Sequence, residues 1–241
     1  MTAQEVLREL KRASRPDKAE FLPGFFQAFD GGYGEGDRFL GCVVPDQRKI
    51  ARKYRDLSRA ELVKLFESPW HECRSTGMFV LVLQFERASR ARNVDRTEER
   101  RELVDFYLEH RSAANNWDIV DGTAPKILGS WVLEHPDARE KLIRFSESAD
   151  VWERRMAVLA TLTLIRESQF SETIDLAVKL MNDDHELIHK AVGWMLREIG
   201  KQDPGVLRSF LALHAKLMPR TMLRYAIEKF DSKERKKWMT A

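Results

Sequence analysis

The chain is poor in the features that mark secreted or membrane-spanning proteins. It has only two cysteines, Cys42 and Cys73, and no CxxC pair, which argues against a disulfide framework and against a thiolate zinc site. Its longest uninterrupted apolar run, Met78 to Leu83, falls far short of the roughly 20 residues that cross a bilayer. The N-terminal stretch "MTAQEVLREL" is charged from its start and lacks the pattern of a targeting signal. Glycine and proline are scarce, at 12 and 8, beside 33% charged and 43% apolar residues, so neither disorder nor secretion is indicated. A soluble, helix-rich protein of a reducing cytoplasm is expected, large enough at 241 residues to bury its own core. The net charge of +3 permits a polyanionic partner without requiring one.

What the chain does contain is helical periodicity. Apolar residues recur at three and four in "AQEVLRELKRA", "DQRKIARKY", "RAELVKLF", "GMFVLVLQFERA", "EERRELVDFYLEH", "VWERRMAVLATLTLIRE" and "ELIHKAVGWMLREI", with breaks at Pro, Gly, Asp or Ser. One loop stands apart, residues 29–45, "FDGGYGEGDRFLGCVVP", with five glycines. It turns a corner between N-terminal helices and has no lysine-serine ending of a phosphate-binding loop.

The second half repeats. Trp117, Trp152, Leu187 and Met222 stand 35 residues apart, each opens a helix, and a second helix follows each after a short break. A helix pair at this period predicts an all-α, curved solenoid of HEAT-like pairs, clear from about residue 115 to 235, within a single domain over 1–241. In this register Ile119, Arg154, His189 and Arg224 share one column, and Val120, Arg155, Lys190 and Tyr225 share the next. Stacked, their cations would line one surface: either a solvated face or, on a basic concave side, a track for a nucleic-acid backbone. The following column holds Asp121 against Met156, Ala191 and Ala226. A carboxylate at an apolar position is costly unless it is paired or used. Pro125, four residues on, cannot donate to the Asp121 carbonyl, so the helix is expected to kink or break there. Asp121 is then either a cap or ion-pair partner of Arg154 or Arg155, or a functional carboxylate.

With "YGEGDRFLGCVVPDQRKIA", "NNWDIVD", "VWERRMAV" and "HKAVGWMLREIGK" in this order, the sequence resembles the AlkD family of DNA alkylation-repair glycosylases over most of its length. The resemblance implies hydrolysis of the N-glycosidic bond of cationic N3- and N7-alkylated purines in double-stranded DNA, without cofactor or metal; separately, a monomer with no membrane partner is expected. It implies a catalytic carboxylate at Asp121, aromatic walls at Trp117 and Trp194, and an active-site arginine in "ERR", Arg155 in preference to Arg154. Arg154, Lys190, His189 and Arg224 are the expected DNA contacts. Family members act through the deoxyribose and backbone and touch the lesion little, which tolerates bulky adducts. Val43 stands where some relatives carry glutamine, which bears on lesion preference.

Two other classes compete. "HELIH", His185 to His189, matches the pattern of zinc metalloproteases, with Glu186 as general base, but no third histidine follows at Val192, Gly193 or Trp194. His185 sits at a helix start, where capping is its ordinary role. A HEAT-type scaffold without an active site explains the repeats and the cations but leaves Asp121 unexplained.

Overall fold

The computed structural model describes residues 1–90 and 96–240, and every regular element among them is a helix. The expected all-α class is the observed one. The helices group into two compact units, Met1–Thr123 and Ala124–Ala241. No helix among the described residues is long and apolar enough to cross a membrane.

The first unit contains α1 (Ala3–Arg12), α2 (Pro16–Phe25), α3 (Val44–Lys53), α4 (Arg59–Phe66), α5 (His71–Ser89), α6 (Thr97–Glu109) and α7 (Trp117–Thr123). Local chemistry sets several starts: Thr2 and Glu5 form a reciprocal capping box on α1, and Ser58 caps α4. The centre is α5, on which α1, α3, α4, α6 and α7 pack, and every residue from His71 to Val82 is buried. A helix covered on all sides shows no polar face. It begins at His71, upstream of the Gly77 at which apolar periodicity starts. A second difference from the sequence expectation is α2, which opens on Pro16, carries Pro23 and buries none of its residues, so no apolar spacing betrays it. The loop after α2 returns to it through Gly41, whose φ of +86° and whose position, 2.4 Å from the Arg15 carbonyl oxygen for any added Cβ, admit only glycine.

The second unit opens on a π-helical turn, Pro125–Gly129, followed by α8 (Ser130–Glu134), α9 (Glu140–Ser146), α10 (Val151–Arg166), α11 (Ser171–Lys179), α12 (Glu186–Gln202), α13 (Pro204–His214), α14 (Arg220–Ala226) and α15 (Ser232–Met239). The break expected at Pro125 is present: α7 stops at Thr123, and the turn closes with the Gly129 amide donating to the Ala124 carbonyl at 2.9 Å. Helices α10, α12 and α14 begin at Val151, Glu186 and Arg220, the 35-residue step to within one residue. Within this unit α10 packs on the π-helical turn, α12 on α10 and α14 on α12, while α9, α11 and α13 pack beside them. Such nearest-neighbour stacking is what a repeat needs to bury its apolar column, and Met156, Ala191 and Ala226 are buried in it. Gly193 allows α12 and α14 to meet closely, since a Cβ there would lie 2.5 Å from the Met222 carbonyl oxygen.

Candidate active site

At seven residues α7 is too short to persist on its own helical hydrogen bonds, so its neighbours must hold it. Ile119 and Val120 are fully buried, and Thr123 donates to the Ile119 carbonyl at 2.7 Å with its Oγ1 3.0 Å from the Tyr107 hydroxyl of α6. The opposite side of α7 carries Trp117, Asp118 and Asp121, each half-buried. Trp117 and Asp121 are four residues apart and share that side, as helical geometry requires. Whereas Met156, Ala191 and Ala226 of its register column are buried, Asp121 keeps partial exposure.

The start of α7 is fixed by a buried polar network. The His71 side chain, 2% exposed, bridges two carboxylates: Nδ1 lies 3.1 Å from Asp37 Oδ2 and Nε2 lies 2.9 Å from Asp118 Oδ2. Burial opposes a charged imidazole here, but Asp118 and Asp37 outweigh it by charge and hydrogen bonding and hold the pKa at about 9. At neutral pH His71 is therefore an imidazolium with both N–H groups donating. Arg74 completes the charge balance, pairing with Asp37 and donating through Nε to Asn115 Oδ1 at 3.1 Å, while Asn115 Nδ2 donates to Asp37 Oδ1 at 3.1 Å. Although burial acts to raise the Asp37 pKa, the His71 hydrogen bond and the Arg74 charge keep it below its ordinary value. Two cations thus face two carboxylates, the condition under which buried charge is tolerated.

Aromatic rings continue the link to Trp117. Phe26 and Phe39 stack on the imidazole with centroids 5.0 and 4.9 Å away, and Phe26 in turn packs on Trp117 at 5.3 Å. Phe25 meets the same indole edge-on at 5.8 Å. The loop that presents Asp37 is itself anchored by Glu72, whose carboxylate accepts from the backbone amides of Leu40, Gly41 and Cys42 at 2.9, 2.8 and 3.2 Å. None of Asp37, His71, Glu72 or Arg74 was singled out from the sequence. The usable signal was three ionisable residues, His71, Glu72 and Arg74, directly before an apolar run that has to be buried: such groups must have partners.

In the second unit the expected site residues are dispersed over three helices and are held by different contacts. Arg154 of α10 donates to Asp183 at 2.7 Å and to the carbonyls of Ser148 and Ala149, both at 2.9 Å, so a phosphate there would compete with Asp183. Arg155 is 5% exposed and donates to the Leu187 carbonyl at 2.6 Å. On α12, Lys190 pairs with Glu186 at 3.1 Å, and the half-buried Trp194 donates to Glu198 at 2.9 Å. Arg224 of α14 is exposed. Within the second unit the column members are unlike one another: Arg154 and Arg155 are held by internal partners, whereas Arg224 is exposed. The histidines of "HELIH" have structural occupations: His185 caps α12 by accepting the Leu187 amide on Nδ1 at 3.1 Å, and His189 Nε2 lies 2.5 Å from the Asp183 carbonyl oxygen. Burial lowers the His185 pKa, which favours the neutral ring that an accepting Nδ1 requires. Among the described residues no group of three His, Cys, Asp or Glu side chains could hold a metal ion. Val43 is the N-cap position of α3, where its side chain makes no capping hydrogen bond.

The profile of one protein family, described as DNA alkylation repair enzyme, matches residues 6–230. No curated protein matches the chain. Among solved structures, one from Enterococcus faecalis, described as a predicted DNA alkylation repair enzyme, superposes with a TM-score of 0.67 at 16% identity, covering 91% of this chain and 97% of its own. At that identity the likeness is one of fold.

Proposed function

The chain belongs to the DNA alkylation repair enzyme family, and from that premise we propose that it is a DNA glycosylase, hydrolysing the N-glycosidic bond of cationic N3- and N7-alkylated purines in duplex DNA. The observation that carries the proposal is the pairing of Trp117 and Asp121 one turn apart on the half-buried side of α7, a helix too short to stand alone and held by buried charges and aromatic rings.

The chemistry follows from the charge of the lesion. An alkylated purine is already cationic, so the C1′–N bond breaks with its electron pair going to the base, which leaves neutral and needs no strong acid. Positive charge then develops on the deoxyribose. The Asp121 carboxylate stabilises that oxocarbenium character and orients a water, whose oxygen bonds C1′ while its proton passes to the carboxylate or to solvent. The products are the free base and an abasic site. The Trp117 face supports the electron-poor sugar. In the second unit, Trp194 is assigned the role of a further indole against the sugar-phosphate, Arg155 that of the phosphate-holding arginine, and Arg154, Lys190, His189 and Arg224 those of backbone contacts. Of these, Arg224 and Lys190 are the more accessible.

Release of free 7-methylguanine from methylated duplex DNA, measured by single-turnover assay, tests the proposal. Absence of release of this or any N3-alkylated purine would leave DNA binding alone as the activity.

A further inference from the structure

The site as proposed uses Trp117 and Asp121 but leaves the buried charges behind them without a part in the reaction. The Asp37–His71–Asp118 bridge joins three segments, the glycine-rich loop, α5 and α7, at one imidazole. Asp118 sits between Trp117 and Asp121 on the same short helix. The ring stack on His71 ends at the Trp117 indole through Phe26. An ordinary core would fill such a place with apolar side chains, which are usually as stable or more so than a buried ion network.

We propose that His71 is a positioning residue for excision: doubly protonated, it grips Asp118 with one N–H and Asp37 with the other, and so holds α7 in the orientation that Trp117 and Asp121 need. The proposal rests on the glycosylase reading above. With one proton lost, the ring can donate to only one carboxylate; Asp37 keeps Arg74 and Asn115 in either case, but the bridge between Asp37 and Asp118 is broken and α7 is released from the loop. The charged groups that face the imidazole are Asp37 from the loop and Asp118 from α7, with Arg74 of α5 reaching it through Asp37; Phe26 and Phe39 supply only ring faces. The two thiols lie higher, Cys42 at about 12 and Cys73 at about 11, so their titration stays above the His71 midpoint near 9.

The experiment pairs single-turnover excision against pH with side-chain nitrogen NMR of the full chain. Excision by the native protein is expected to be level through neutral pH and to fall with a midpoint near 9. Asp37→Asn removes one of the charges that sustain the imidazolium, so the fall should move to lower pH by about one unit or more. His71→Gln should be at least about tenfold slower at pH 7.5 and lose the alkaline fall, with duplex affinity within about twofold of native. The native His71 ring should read as doubly protonated at pH 7.5, and the Trp117 indole resonance should shift with the His71 midpoint. A neutral His71 ring at pH 7.5, an indole indifferent to its titration, or an unmoved midpoint in Asp37→Asn overturns the proposal. If the native protein excises nothing, the glycosylase reading fails, and the two NMR measurements still decide whether His71 clamps α7.

Discussion

Asp118 Oδ2 lies 2.9 Å from His71 Nε2, so the helix bearing the candidate carboxylate Asp121 is tied to a buried cation three residues upstream of that carboxylate. The tie separates two kinds of role on one short helix. Asp118 spends its charge inside the protein, whereas Asp121, half-buried on the same side, is assigned to the substrate.

Asp121→Asn keeps the size of the side chain and removes its charge. Base excision per folded molecule should fall by at least about tenfold, equivalent to 1.4 kcal/mol, while duplex affinity stays close to native. If Asp121 serves only as a cap or an internal ion-pair partner, melting temperature falls and excision per folded molecule is unchanged. Measuring all three on one preparation separates the cases.

Stability should depend on pH through His71. Its folded pKa of about 9 lies above the ordinary 6.5, so the folded state holds the proton more tightly than the unfolded chain. The contribution is complete below pH 6.5 and is lost as pH rises through 9. Asp37, whose pKa is lowered, has the opposite sign: its contribution is present above the ordinary carboxylate value and is lost as pH falls below it. Thermal unfolding of the native protein and of His71→Gln should therefore differ most at mildly acidic pH, below 6.5 but above the carboxylate range, and converge by about pH 10; parallel curves across that range would count against the assignment.

Glu72→Ala leaves the buried amides of Gly41 and Cys42, and that of Leu40, without their acceptor. The loss should be at least about 3 kcal/mol in denaturant unfolding, because each orphaned donor costs roughly 1–3 kcal/mol. Since the same loop carries Asp37, the variant should also loosen the His71 bridge, visible as a lower His71 midpoint.

Arg154 and Arg224 occupy the same register column and should answer differently. Arg154→Ala breaks the tie to Asp183 and two carbonyls, so it should lower stability by about 2 kcal/mol. Arg224 is exposed, so Arg224→Glu should leave the melting temperature alone and weaken duplex binding at every sequence, reducing the salt slope by about one. An Arg224→Glu protein with native affinity at low salt would remove that residue from the DNA contacts.

The features legible along the chain were those with a local physical cause. Helical class follows from three-and-four spacing, and the 35-residue step follows from identical helix pairs having to present the same buried face each time, which the starts of α10, α12 and α14 reproduce. The same register exposed Asp121 as the odd member of a buried column, and Pro125 announced the end of α7 because it lacks an N–H. Other features depended on partners that lie far away in sequence. His71 meets Asp37 and Asp118 at separations of 34 and 47 residues, and Glu72 meets the loop amides at 30 to 32. No local pattern encodes such pairs, and a helix start made of His71, Glu72 and Arg74 resembles a polar linker until its partners are in place. The grouping of helices into two compact units, the all-round burial of α5 and the diversion of Arg154 to Asp183 are likewise products of packing. Periodicity is a property of neighbours along the chain, whereas burying an ion is favourable only when folding has brought its counter-ion alongside.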